Sequence, residues 1–201
     1  IRGAGNLLGD EQSGHIKEVG YELYQEMLEE AVANLRAGGD AAEVEERWSP
    51  QISIGTPVLI PEDYVPDLAL RLGLYRRLGD LDEAADIDAF AAELVDRFGP
   101  LPDEVEHLLK IVYIKGLCRR ANVEKIDAGP KGVVIAFRDG VFPNPAGLVR
   151  YIAGEGVLAK IRPDQRVVLS RDWPEPADRL KGTAALLVRL VRLAEEATKA
   201  A

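Results

Sequence analysis

Arg2 and Gln12 are the residues whose type and setting most suggest chemistry, because glycines crowd around them: Gly3, Gly5, Gly9 and Gly14 in the run IRGAGNLLGDEQSG. Glycine accepts positive φ and lets a backbone come close to a partner. Arg2 offers a planar, permanently charged fork of donors suited to phosphate, carboxylate or the amide face of another loop. Gln12 donates and accepts at once. Leu7 and Leu8 place a small apolar anchor between them. Such a stretch suits a lever or sensor that touches nucleic acid or a nucleotide-driven lobe; the plain alternative is a surface loop leading into a helix. It is not a dinucleotide fingerprint, because the glycine after Gly3-x-Gly5 comes too late and no strand precedes it within the chain. No phosphate-cradling loop ending in Gly-Lys-Ser/Thr occurs, which removes that route to ATP. A motif placed at residue 1 with no initiator methionine reads as the end of something that begins upstream. The chain is therefore expected to be a C-terminal piece of a larger protein.

Elsewhere the reactive side chains are scattered. His15 and His107 are the only histidines and sit in no ligand spacing, so neither a metal site nor a general base is expected from them. Cys118, the only cysteine, lies in an apolar helical stretch and reads as a buried filler rather than a nucleophile. It allows no intrachain disulfide and fits a reduced, cytoplasmic setting. No carboxylate pair stands out as an acid–base dyad, and no catalytic residue is assigned. Glu93 and Asp96 are three apart and share one helix face, while Leu94 and Phe98 mark another that can pack inward. That acidic face is either simply solvated or a contact surface.

The elements that must carry these residues follow from periodicity and punctuation. Residues 1–15 read as an arm. Residues 16–48 form a linking segment with an amphipathic helix over 16–37, in which Val19, Leu23, Met27 and Val32 oppose a row of glutamates. Gly38 and Gly39 end it, and a short helix is expected over 41–48. Residues 49–201 form the main domain. It opens with a strand over 51–60 that Pro57 and Pro61 make an edge or broken strand. Three helices follow, at 64–79 capped by Asp63, at 82–98 with Asp80 and Glu83 as a capping pair, and from Pro102 to Asn122. Their short connectors predict one packed helical unit. The pattern then switches to strands at 123–127 and 133–137 around a Gly-Pro-Lys-Gly turn, a helix at 145–154, a strand pair at 157–161 and 166–170, and a last helix at 176–199. The class is α+β: helices in the first half, small antiparallel β with packed helices in the second.

Charge divides the chain. Residues 1–100 hold 8 Lys and Arg against 21 Asp and Glu, and residues 101–201 hold 17 against 13, within a net charge of −9. An acidic surface repels phosphate backbones and suits a basic protein surface better. The composition, 47% hydrophobic and 29% charged, is that of an ordinary globular domain. No apolar run is long enough to span a bilayer, and no membrane partner is expected.

The glycine-rich head resembles the translocation motif that follows the second ATPase lobe of RecG and of the transcription-repair coupling factors (Mfd). RecG-like proteins carry a Thr-Arg-Gln-Ser-Gly type ending and stop soon after it. Here Asp10-Glu11-Gln12-Ser13-Gly14 is followed by most of the chain, which favours the coupling factors. VGYELYQEMLEEAV (19–32), IPEDYVPD (60–67), RLGLYRRL (71–78), AELVDRFGPLPDEVEHLL (92–109) and KGVVIAF (131–137) are similar to their C-terminal domain, in the same order. The resemblance implies a parent that is an ATP-driven double-stranded DNA translocase, displacing stalled RNA polymerase and recruiting UvrA for nucleotide-excision repair. ATP and Mg would belong to lobes upstream, leaving no cofactor for this chain. Arg2 and Gln12 would couple hydrolysis to movement. The domain itself would be non-catalytic and autoinhibitory, docking on the UvrB-like N-terminal module and masking its UvrA-binding surface, with Glu93 and Asp96 as the interdomain contact. Two rivals remain: a nucleic-acid-binding accessory domain of a RecG-like helicase that uses the basic second half, and a catalytic domain of unrelated type.

Overall fold

A computed structural model describes residues 48–200 of the 201. Arg2, Gly3, Gly5, Gly9, Gln12 and Gly14, the amphipathic stretch 16–37 and nearly all of the short helix expected at 41–48 lie outside the described residues.

Strand β1 (Gln51–Ser53) leads through an irregular loop to three helices, α1 (Leu68–Gly79), α2 (Ala84–Phe98) and α3 (Asp103–Arg120). A hairpin follows, β2 (Val123–Gly129) and β3 (Gly132–Phe137), then α4 (Pro145–Glu155), the pair β4 (Ala159–Ile161) and β5 (Val167–Ser170), and the long helix α5 (Pro176–Ala200). The class is α+β. The five strands form one sheet in the order β1-β2-β3-β5-β4. All neighbours are antiparallel except β1 and β2, which run parallel with Ile52 opposite Ile126. The antiparallel β expected in the second half is present as β2 to β5, and β1 from the first half adds a parallel edge that makes the sheet mixed. The three helices form a crossover from β1 to β2, and a crossover returns the chain in its original direction. The acidic helical half and the β half thus share one sheet and one core.

Four local expectations also change. The strand expected over 51–60 stops at Ser53, because Gly55 turns at φ 67° and Pro57 and Pro61 cannot donate to a ladder. Val58 and Ile60 are buried all the same, and the Ile60 N–H donates to Tyr75 Oη at 2.5 Å. The first helix begins at Leu68 rather than 64. Asp67, not Asp63, caps it, its carboxylate accepting the Leu70 N–H at 2.7 Å. Asp80 and Glu83 form no capping box: Asp80 closes α1 through its backbone N–H, and Glu83 precedes α2 with no side-chain cap. Finally, Gly156–Leu158 is a 3-10 turn, so the strand expected from Val157 begins at Ala159.

The core lies where α3 and α5 pack together over one face of the sheet. Val105, Leu108, Ile114 and Leu117 of α3 meet Leu180, Leu187, Leu190 and Val191 of α5, with Ile126, Ile135 and Leu169 below them. Cys118 is buried there, as its apolar setting led one to expect. α2 is fastened to this block from outside by Ile87, Phe90 and Leu94. A Cβ on Gly116 would stand 2.7 Å from the Asp82 carbonyl oxygen, so only glycine in α3 lets the α1–α2 connection approach this closely. Arg119 forms an ion pair with the Asp82 carboxylate at the same junction.

Candidate functional site

Helix α2 presents the candidate surface. Its inward stripe, Ile87, Phe90 and Leu94, is buried, while Asp86, Asp88, Val95 and Asp96 are exposed. The buried residues recur at three and four, which turns the intervening carboxylates outward. The C-terminal end of α2 is held by Tyr64, whose hydroxyl shares its one proton between the carbonyls of Gly99 (2.9 Å) and Leu94 (3.2 Å) and whose ring meets Phe98 edge-on.

Glu93 and Asp96 share the helix but not an environment. The Glu93 carboxylate takes two parallel hydrogen bonds from Arg77 of α1, at 2.8 and 2.6 Å, and a third from Arg97 one turn further on, at 2.8 Å. Both guanidiniums are also seated on rings, Arg77 4.9 Å from the Phe90 centroid and Arg97 5.0 Å from that of Phe98. One carboxylate between two guanidiniums leaves a local excess of positive charge. Asp96 is exposed and makes no ion pair among the described residues. Of the two acidic candidates, only Asp96 offers an uncompensated negative charge at the surface.

The two arginines hold the Glu93 carboxyl at about 2, below its ordinary 4.5, chiefly through the Arg77 hydrogen bonds and next through that of Arg97. A carboxyl depressed on folding adds stability that is fully present above pH 4.5 and is lost as pH falls towards 2. The stability difference between the native chain and Glu93→Gln should therefore shrink across that window. It should also be smaller in high salt, because the cluster is solvent-accessible. A carboxyl NMR titration of Glu93 with a midpoint near 4.5 would refute the cluster.

The other sequence candidates are not brought together. His107 Nδ1 lies 3.1 Å from the Thr56 hydroxyl, where it ties α3 to the loop after β1. Among the described residues no group of His, Cys, Asp and Glu could hold a metal ion. No described helix is long and apolar enough to cross a membrane. The sequence reading missed Arg77 and Arg97. Arg97 was within reach, since it follows Glu93 by four; Arg77 is 16 residues away and meets Glu93 only because α1 and α2 are packed side by side.

Comparison with known proteins adds the following. Residues 54–148 match the family model described as the TRCF domain. The chain is 45% identical over 168 residues to the transcription-repair-coupling factor of Rickettsia conorii, covering 84% of this chain and 15% of that protein. It is 36% identical over 189 residues to that of Haemophilus influenzae (93% and 16%) and 34% identical over 183 residues to that of Escherichia coli (90% and 16%). It thus spans about one sixth or less of the length of these relatives. A crystal structure of the C-terminal domain of a transcription-repair coupling factor superposes with a TM-score of 0.63 at 19% identity, covering 75% of this chain and 98% of that one. At that identity the likeness bears on the fold.

Proposed function

From the premise that this chain belongs to the transcription-repair-coupling factor family, as a C-terminal domain, we propose that it is the regulatory end of an ATP-driven double-stranded DNA translocase. The whole protein would displace stalled RNA polymerase and recruit UvrA for nucleotide-excision repair. Identity of 45% along 84% of the chain is the observation that carries the parentage. ATP and Mg act in lobes outside this chain, and Arg2 and Gln12 of the chain's glycine-rich head couple that hydrolysis to movement. The domain performs no catalysis. It holds the UvrB-like N-terminal module and covers the surface that UvrA needs.

The face of α2 supports that role. Asp96 and Asp88 stand exposed beside the exposed Val95, a mixed acidic and apolar rim that a basic module can meet. Exposed charge pairs contribute little each and are screened by salt, which suits a contact that must open when the motor engages. Glu93 acts at one remove: it neutralises one of the two positive charges of Arg77 and Arg97 and holds both side chains against α1 and α2, which lessens their repulsion of an approaching cation.

The test is capture of the UvrB-like module by this chain. Asp96→Lys should weaken capture about five-fold at low salt, on the scale of one or two exposed charge contacts, and the defect should fade as salt rises. Glu93→Gln should weaken it too, by releasing the two arginines. Unchanged capture by the Asp96→Lys, Glu93→Gln double variant would move the contact elsewhere. A salt-sensitive gel shift with duplex DNA would instead favour the nucleic-acid-binding alternative.

A further inference from the structure

The edge of the sheet formed by β4 carries apolar side chains that stand exposed. Val157 is 99% exposed, Leu158 48% and Ile161 46%, and Val149 of the adjoining α4 is 57% exposed. These are four of the seven large hydrophobic side chains exposed among the described residues, and all lie between residues 149 and 161. α4 packs along β4, so they gather on one side of the molecule. A cluster of this kind is unusual on a monomer's surface and marks contact surfaces more often than chance.

The backbone there is also available. β4 ends the sheet, with β5 as its one neighbour among the described residues. The Arg162 N–H donates to the Arg166 carbonyl at 2.8 Å, which sets the alternation of the ladder. Counting back along it, Ala159 and Ile161 turn their backbone groups away from β5; the Ala159 N–H donates to the Gly156 carbonyl, which leaves the Ala159 C=O and the N–H and C=O of Ile161 facing outward. Sheet edges are commonly protected by proline, a bulge, a covering element, short length or charged side chains, and of these β4 has its three-residue length and Lys160. Residues 159–161 hold no proline, and β4 pairs with β5 without a bulge.

Charge selects the occupant. Arg150, Lys160, Arg162 and Arg166 are exposed around the apolar cluster. Arg166 lies 3.5 Å from the Asp164 carboxylate, and the other three make no ion pair among the described residues. A second copy pairing edge to edge would bring these cations face to face, so self-association is disfavoured. Nucleic acid would satisfy the cations but not Val157, Leu158 and Ile161. We propose that β4 receives an extended, acidic and apolar peptide segment of a partner protein, which adds a sixth strand to the sheet. Main-chain hydrogen bonds to the Ala159 carbonyl and to the N–H and C=O of Ile161 give the affinity, alternate apolar side chains cover Val157 and Ile161, and carboxylates meet Lys160 and Arg162.

A probe peptide of nine residues, alternating glutamate and valine with both ends blocked, tests this by amide NMR on the full 201-residue chain. Saturable shifts confined to residues 157–162 and to β5 are expected, weakening as salt rises. The Lys160→Glu, Arg162→Glu double variant should bind the peptide about tenfold more weakly. Val157→Asp should also weaken binding while leaving the remaining amide spectrum unchanged, since its side chain touches almost nothing. The assignment is overturned by any of four results: no shifts at 157–162, equal shifts from a lysine–valine peptide, shifts at these amides that track protein concentration without peptide, or tighter competition by a short DNA duplex.

Discussion

Gly132→Ala is expected to lower the melting temperature by about 6–12 °C, corresponding to a loss of about 3 kcal/mol. Gly132 opens β3, the strand between β2 and β5, and sits at φ 132°, a region that side chains rarely tolerate. Room is lacking as well. A Cβ built there stands 2.0 Å from the Leu169 carbonyl oxygen and 2.9 Å from the Arg171 nitrogen, both backbone atoms that cannot rotate aside. Relieving the clash means moving β5 away from β3, where Gly132 is paired with Ser170, and α5 follows β5 within a few residues. Gly129, paired with Gly132 across the same hairpin turn, is the control. A Cβ there meets nothing within 4 Å and its φ is not positive. Gly129→Ala should therefore melt within about 3 °C of the native chain, a change of about 1 kcal/mol or less. If the two substitutions melt alike, the close approach of β3 to β5 is wrong.

Leu94→Ala should cost about 3 kcal/mol, within the range for emptying a fully buried leucine site. Leu94 is 0% exposed and is the last buried anchor of α2. Its carbonyl also accepts from the Tyr64 hydroxyl, so the side chain and the backbone of one residue fasten the same end of the helix. Removing the side chain opens a cavity beneath the segment that carries Glu93 and Asp96. Val95→Ala, next in sequence but 45% exposed, should change stability by no more than about 0.5 kcal/mol. Urea unfolding of both variants checks the contrast. Equal shifts in midpoint would mean that α2 is rotated relative to the core. Capture of the UvrB-like module separates the two positions in the opposite sense, because Val95 lies on the proposed contact face and Leu94 does not.

Local signals carried much of the architecture. Gly99 and Pro102 bracketed the break between α2 and α3, and Pro145 after Asn144 marked the start of α4, where the Asn144 side chain accepts the Gly147 N–H at 2.9 Å. The β-branched run after the Gly-Pro-Lys-Gly turn identified β3, and the structure adds that Val133, Ile135 and Phe137 form its buried face. Helix starts were less legible where several acidic residues competed for one cap: Asp63 and Asp67 are both capable, and only the hydrogen bond from the Leu70 N–H singles out Asp67. The candidate site was half legible. Glu93 and Asp96 could be placed on one helix, but a helix face in isolation does not reveal which carboxylate will meet an arginine from elsewhere in the chain.

What the sequence determined by itself was everything set within a turn or two of chain: the α+β class, the order of the elements, the burial of Cys118, and the family through blocks of residues in a fixed order. Only the tertiary structure decided what depends on segments far apart meeting. β1 joins β2 in parallel because three helices intervene, Arg77 reaches across 16 residues to neutralise Glu93, and β4 is left at the margin of the sheet with its apolar side chains uncovered. Periodicity records which way a side chain faces relative to its own element. It carries no record of which charge or strand a distant segment brings alongside, and those encounters set the electrostatics of both candidate surfaces.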